Sequence, residues 1–74
     1  MNTIEIADVE ARDADGWTAL MRAAKNGDAD VVLALLERGA DVFARNDAGH
    51  TAMDIAMENN EIVIINMLDY FGIE

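Results

Sequence analysis

The sequence repeats with a period of 33 residues, and this restricts its possible folds more than any other feature. When the 74-residue chain is shifted by 33 positions, identical residues align mainly at turn, cap and small or apolar positions. The pairs are Gly16 and Gly49, Thr18 and Thr51, Ala19 and Ala52, Ala23 and Ala56, Leu35 and Leu68, and Gly39 and Gly72. The pairs that differ lie mostly where a helix would be exposed. Such a period predicts a solenoid, in which each repeat packs mainly on its neighbours.

The residue pattern of each repeat predicts a turn followed by two short helices. In the first, Asp15 and Gly16 form the turn and Thr18 is a helix N-cap. The first helix runs to about Asn26, where Gly27 fits a left-handed C-cap. A second helix is predicted from about Ala29 to Arg38, ended by Gly39. Its apolar stripe is Val31, Val32, Leu35 and Leu36.

These residues resemble an ankyrin repeat, and residues 48–72 resemble a second one. The family pattern is matched by Asp13, Gly16, Thr18, Leu20, Ala23, Ala24, Gly27, Val31, Val32, Leu35, Leu36, Gly39, Ala40, Asp41 and Val42. The first repeat departs from it at Ala19, Met21 and Phe43, which replace a proline, a histidine and an asparagine. The second departs at Asp54, Asn60 and Asp69, which replace the histidine, a glycine and a leucine.

The resemblance covers residues 12–72 and implies an all-α, ankyrin-type helix-turn-helix solenoid. We expect a single domain over residues 1–74, with repeats at 12–44 and 45–74, the latter including the C-terminal cap. Residues 1–11 are expected to form an N-terminal partial repeat or arm, since residues 7–11 resemble only the tail of a preceding repeat. This arm would be extended along the first repeat or poorly ordered. Two repeats are fewer than the three or so usually needed, so marginal stability is expected.

Composition excludes several classes of function. The net charge of −10 repels nucleic-acid backbones and anionic membranes, so neither is expected as a direct partner. Solubility is the simpler explanation of the acidity; a basic partner, or mimicry of nucleic acid, is the alternative. No signal peptide or membrane span is recognisable, and with the family resemblance this favours a cytoplasmic protein.

Catalysis is not expected. The chain has no serine and no cysteine, which removes the usual Ser and Cys nucleophiles. The lone His50 lacks a clear partner, and no phosphate-binding glycine motif is present. The acidic turn at Asp13 and Asp15 lacks the later glutamate of a calcium loop. The prediction is therefore a non-catalytic protein with no cofactor and no metal site.

The resemblance also implies a partner-binding surface, because ankyrin repeats usually contact partners through turn tips and inner helix faces. Carried over by position, this surface comprises Arg12, Ala14, Asp15, Trp17, Lys25, Asn26, Arg45, Asp47, Ala48, His50, Glu58 and Asn59. Arg22 and Ile55 are also expected to be exposed on the inner helices. Trp17 would be the binding anchor if exposed, but its indole could instead fold onto Met21 or the N-terminal arm.

The last helix is apolar on nearly every side. Asn59 to Glu61 are expected to start it, and one face carries Ile64, Leu68 and Phe71, extended by Ile65. The predicted self-association surface comprises Ile62, Val63, Met67, Tyr70 and Phe71. This surface could form a homodimer, bind another protein, or be covered by local residues such as Ile73. Self-association is favoured, because the chain is short and exposed apolar faces are usually covered.

The sequence is compatible with three functions. The favoured one is a protein–protein interaction module that binds a protein partner through turn tips and inner helices. The first alternative is a small acidic inhibitor or immunity-type protein that blocks a basic or nucleic-acid-binding partner. The second is a subunit or fragment stabilised by homo-oligomerisation.

Overall fold

The computed structural model describes residues 11–72, which form four α-helices. These are α1 (Ala19–Asn26), α2 (Ala29–Glu37), α3 (Ala52–Glu58) and α4 (Ile62–Gly72). Within residues 11–72 the only extended pairing is an isolated antiparallel bridge between Arg12 and Thr18. The all-α prediction is confirmed. The predicted N-terminal arm falls outside the described residues except for Ala11, and so does Ile73, a predicted local cover for α4.

Threonine begins the first helix of each repeat through a reciprocal cap. Thr18 Oγ1 accepts a hydrogen bond from Met21 N at 3.3 Å, and Thr18 N donates to Met21 Sδ at 3.4 Å. Thr51 Oγ1 likewise accepts from Asp54 N at 3.2 Å, while Thr51 N donates to Asp54 Oδ2 at 3.1 Å. Each cap satisfies an amide at the helix start that has no partner inside the helix. Met21 and Asp54, two departures from the family pattern, thus serve the same local purpose.

The helix ends differ slightly from the predicted ones. Gly27 caps α1 in the left-handed conformation, as expected. Helix α2 ends at Glu37, one residue early, because Arg38 already has non-helical dihedral angles. Residues 59–61 do not belong to α4, which begins at Ile62. Asn60 adopts a positive φ of 56°, a conformation that asparagine tolerates better than most residues, and this interrupts the helix.

The helices pack as two stacked pairs. Helix α1 packs against α2 and α3, and α4 packs against α2 and α3. The core between them consists of Leu20, Met21, Ala23, Ala24, Val32, Leu35, Leu36, Ala44, Ala52, Ile55, Ala56, Ile64 and Leu68. Because many of these residues are alanines, the helix backbones can approach closely, and the larger side chains fill the space on either side.

Two burial predictions are wrong, and they have a common cause. Ile55 is only 3% exposed rather than open on the inner face, whereas Arg22, its counterpart 33 residues earlier, is exposed. Val31 is exposed although it was assigned to the apolar stripe of α2, while its counterpart Ile64 is buried. These positions face the preceding repeat. The second repeat has the first to cover them, but no complete repeat precedes the first within residues 11–72.

Candidate functional site

Asp13 organises the first projecting turn, at residues 13–17. Its Oδ1 accepts hydrogen bonds from the backbone amides of Asp15 and Trp17, each at 2.9 Å. The Gly16 amide donates to the Asp13 carbonyl at 3.0 Å, and the Asp13 amide donates to the Trp17 carbonyl at 3.0 Å. One short side chain therefore fixes the backbone that presents Trp17.

Asn46 repeats this arrangement in the second turn. Its Oδ1 accepts from the amides of Ala48 and His50, each at 3.0 Å. The Gly49 amide donates to the Asn46 carbonyl at 2.9 Å. Asn46 is buried, so its amide side chain supplies the same acceptor as Asp13 without burying a charge. His50 is thus presented in the same way as Trp17.

Hydrogen bonds join the two turns. The Asp47 amide donates to the Asp15 carbonyl at 3.1 Å. The Arg12 guanidinium donates both to the Gly16 carbonyl at 3.4 Å and to the Arg45 carbonyl. Arg12, predicted as a partner contact, therefore has a structural function in holding the turns together. The two tips form one continuous surface.

A cleft of about 220 Å³ lies between the first turn and α1. It is lined by Asp15, Trp17, Arg22 and Lys25. Trp17 is half-buried, since part of its indole packs against the core and part faces the cleft. The Arg22 guanidinium carbon lies 5.9 Å from the centroid of this indole, and the same side chain forms an ion pair with Asp13. Neither full exposure nor full burial therefore describes Trp17.

A second cleft, of about 430 Å³, lies between the second turn and α3. It is lined by His50, Asp54, Met57 and Glu58. Met57 is 54% exposed, which is high for a large apolar side chain, and two carboxylates lie on the same side of the helix. The first cleft contains two cationic side chains and this one contains none, so the two clefts differ in charge.

The other predicted contact residues lie at the surface, but only some of them line a cleft. Asp15, Trp17 and Lys25 line the first, and His50 and Glu58 line the second. Predicted residues outside both clefts are Arg12, Ala14, Asn26, Arg45, Asp47, Ala48 and Asn59, all exposed. The predicted surface omitted Asp54 and Met57. Asp54 and Met57 are three residues apart on one helix, and they align with Met21 and Ala24 of the first repeat. The sequence could therefore have predicted that the two side chains lie on the same helix face.

The predicted self-association surface lies on the outer side of α4. Ile62, Val63 and Tyr70 are exposed, Phe71 is at the margin, and Met67 is half-buried against the core. The rings of Tyr70 and Phe71 meet edge to face with centroids 5.4 Å apart. Phe43, which is 66% exposed, adds to the apolar surface near the end of this helix, because its ring lies beside Gly72.

Metal-binding clusters and membrane-spanning helices were both sought among residues 11–72. No group of three His, Cys, Asp or Glu side chains in this part of the chain could hold a metal ion. None of its helices is both long and apolar enough to cross a membrane.

Comparison with known proteins agrees with the fold. A family model described as "Ankyrin repeats (many copies)" matches residues 6–56, and the chain belongs to the ankyrin repeat family. The mouse "Ankyrin repeat and SAM domain-containing protein 6" is 45% identical over 56 residues, which is 74% of this chain and 6% of that protein. The mouse "B-cell lymphoma 3 protein homolog" is 40% identical over 66 residues, 88% of this chain and 15% of that protein.

An enzyme is also among the relatives. The human "NAD-capped RNA hydrolase NUDT12" is 51% identical over 43 residues, 58% of this chain and 9% of the hydrolase. The chain therefore spans less than a sixth of the length of each of these three relatives. Ankyrin repeats generally mediate protein–protein interaction, and the family is typically non-catalytic.

Proposed function

We propose that this chain is a non-catalytic recognition module that binds a protein partner across its two turn tips and inner helices. Its repeats would occupy residues 12–44 and 45–74 of a single domain. The observation that carries the proposal is that both clefts lie where a projecting turn meets an inner helix. Trp17 is the proposed anchor, and the other contacts are the turn and inner-helix residues around the clefts.

Rigidity of the turns supports this proposal. The bonds from Asp47 to Asp15, and from Arg12 to Arg45, connect the turns before any partner arrives. A surface ordered in advance loses little conformational entropy on binding, so more of the contact energy contributes to affinity. The net charge of −10 would also accelerate encounter with a basic partner at low salt.

Trp17→Ala is expected to weaken partner binding about tenfold to thirtyfold, the effect of losing a moderate aromatic hot spot. A photo-crosslinking residue at Ala48 would first capture the partner in the cells that produce the protein. The affinity of the purified partner would then be measured calorimetrically for the wild type and the variant.

Arg38→Ala is the matched control, because Arg38 is an exposed residue at the end of α2, away from both clefts. Its affinity should equal that of the wild type. Circular dichroism would verify that both variants are folded. Equal affinities of the Trp17 variant and the wild type would refute the proposal that Trp17 is the binding anchor.

The same surface could also serve a more specific function, in which the chain is a small acidic inhibitor that blocks a nucleic-acid-binding protein. In that case the captured partner would bind nucleic acid, and nucleic acid would compete with this chain for it. The affinity would also fall steeply with salt concentration. If the partner binds no nucleic acid, the inhibitor function is excluded, while the general recognition function is not affected.

Self-association is a second candidate function, favoured by the exposed apolar side of α4. We propose a homodimer in which Ile62, Val63, Met67, Tyr70 and Phe71 of two copies meet. Covering these side chains would offset part of the stability that two repeats lack.

Val63→Glu is expected to convert such a dimer to a monomer, because a carboxylate would be buried at the interface without a partner. Sedimentation equilibrium over a hundredfold concentration range would measure the mass. Leu33→Glu is the control, since Leu33 is an exposed apolar residue on α2, outside the proposed interface. A wild-type mass of one chain at every concentration would exclude the dimer.

A further inference from the structure

Asn26 is the last residue of α1, and Gly27 follows it as the left-handed C-cap. An asparagine followed by glycine is chemically reactive, because the glycine nitrogen can approach the side-chain carbonyl carbon with no Cβ atom in the way. Residues 11–72 contain five asparagines, and only Asn26 precedes a glycine. The others are Asn46, Asn59, Asn60 and Asn66. The end of α1 therefore carries a reactive pair of residues.

The position of Asn26 in the repeat is open to water beside a neighbour on either side. Asn26 is exposed although the second repeat packs on the first. Its counterpart 33 residues later, Asn59, is exposed although the first repeat precedes the second. Neither a following nor a preceding repeat thus covers this end of the inner helix, and the water that deamidation consumes can reach the side chain.

The Asn26 side chain also lacks the hydrogen bond that holds its counterpart. Asn59 Nδ2 donates to the Ile55 carbonyl at 2.8 Å, whereas no side-chain hydrogen bond among the described residues involves Asn26. The Gly27 amide donates to the Ala24 carbonyl at 3.4 Å. That distance is longer than the range of about 2.7–3.2 Å usual for such bonds. Both reacting groups are therefore weakly held, and fraying of the last turn of α1 would bring them together.

Packing against the second repeat requires a glycine at position 27. Gly27 has a φ of +75°, and an added Cβ atom would lie 2.7 Å from a carboxylate oxygen of Glu61. Glu61 directly precedes α4, so this corner of the first repeat lies against the second. The contact that excludes a side chain at Gly27 thus also maintains the reactive pair.

We propose that Asn26 deamidates spontaneously and that the products weaken the contact between this corner and the second repeat. The Gly27 nitrogen bonds to Cγ of Asn26, the bond from Cγ to Nδ2 breaks, and the displaced amine leaves as ammonia with the Gly27 amide proton. One water molecule then opens the five-membered succinimide to aspartate or isoaspartate. Each product adds a carboxylate at the negative end of the α1 dipole, beside Gly27. Isoaspartate also lengthens the backbone by one carbon atom.

Trypsin, which cleaves after lysine and arginine, separates Asn26 from the other four asparagines, because peptide 26–38 contains only Asn26 and peptide 46–74 contains the rest. The full chain would be incubated in mildly alkaline buffer, and its peptides compared with a zero-time sample by mass spectrometry. We expect peptide 26–38 to be converted to separate aspartate and isoaspartate forms while peptide 46–74 stays unmodified. Asn26→Gln should abolish the conversion, because glutamine would have to close a larger ring.

Asn60→Gly is the matched control for the effect of the side-chain hydrogen bond. It places a glycine after Asn59, at a position whose φ of 56° suits glycine. Asn59 should then deamidate about threefold to tenfold more slowly than Asn26, because its hydrogen bond to the Ile55 carbonyl must first break.

Asn26→Asp reproduces one of the products directly. Its unfolding equilibrium constant, measured in urea, should be about twofold to fivefold larger than that of the wild type, because the added charge opposes the helix dipole. Incubated wild type should likewise lose stability, and incubated Asn26→Gln should not.

Three results would overturn the proposal. Peptide 26–38 could stay intact in the folded chain while the urea-unfolded chain is converted, which would show that the fold protects Asn26. Peptide 46–74 could be modified at the same rate, which would show that Asn26 is not selected. Complete conversion could leave the unfolding transition unchanged, which would show that the contact with the second repeat does not depend on this corner.

Discussion

Ile64→Ala is expected to lower the free energy of unfolding by about 2–4 kcal/mol, the largest effect of any substitution considered for this chain. Ile64 is only 1% exposed, and it belongs to the core formed where α4 packs against α2 and α3. The truncation removes apolar contact area and leaves a cavity that the short helices can only partly close. A chain of this size has roughly 4–11 kcal/mol of stability in total, so the variant would be close to unfolding at room temperature.

Val63→Ala provides the matched control, because Val63 is the preceding residue of the same helix and is 63% exposed. Its stability should change by less than about 0.5 kcal/mol. Urea denaturation followed by circular dichroism would measure both variants at one protein concentration, low enough to suppress self-association. Similar losses for the two would mean that α4 does not dock with Ile64 inward.

Gly16→Ala is expected to destabilise the chain by about 2–3 kcal/mol and to loosen the connection between the two turns. Gly16 has a φ of +80°, which is costly for a residue with a Cβ atom. An added Cβ would also lie 3.0 Å from the Asp47 amide nitrogen and 2.6 Å from Asp47 Oδ1. Asp47 would have to move, and its amide would lose the hydrogen bond to the Asp15 carbonyl.

Gly49→Ala separates the strain of a positive φ from the clash with Asp47. Gly49 holds the equivalent position in the second turn with a φ of +88°, but an added Cβ would meet nothing within 4 Å. Gly49→Ala should lower the free energy of unfolding only by the cost of placing alanine at a positive φ, about 1–2 kcal/mol. Hydrogen exchange at the Asp47 amide should accelerate in the Gly16 variant and not in the Gly49 variant. Equal stability losses and equal exchange rates would contradict the proposed contact between the turns.

The local elements of this fold could be predicted from sequence because their signals are local. Thr18 and Gly27 mark the ends of α1 through side-chain capping and backbone conformation, and both depend only on a few neighbouring residues. The burial of Ile55 could not be predicted in this way. Arg22 and Ile55 hold the same position in the repeat, but only Ile55 has a preceding repeat to pack on within the described residues.

The candidate site was predictable as a surface but not as two clefts. The resemblance placed Trp17, Lys25, His50 and Glu58 at turn tips and inner helices, and these residues do line the clefts. It did not reveal that Arg12 bonds to the carbonyl of Arg45, because that contact depends on the distance between stacked turns. Nor did it include Asp54, which is exposed and lines the second cleft.

The difference between Gly16 and Gly49 also has a consequence for how such a module could acquire new partners. The first turn is constrained by its neighbour, so a side chain or an inserted residue at Gly16 would disturb the second repeat. At Gly49 an added Cβ atom meets nothing within 4 Å among residues 11–72, so a side chain at this tip would displace no other backbone segment of that part of the chain. Within residues 11–72, changes of sequence should therefore be tolerated better at the second turn than at the first.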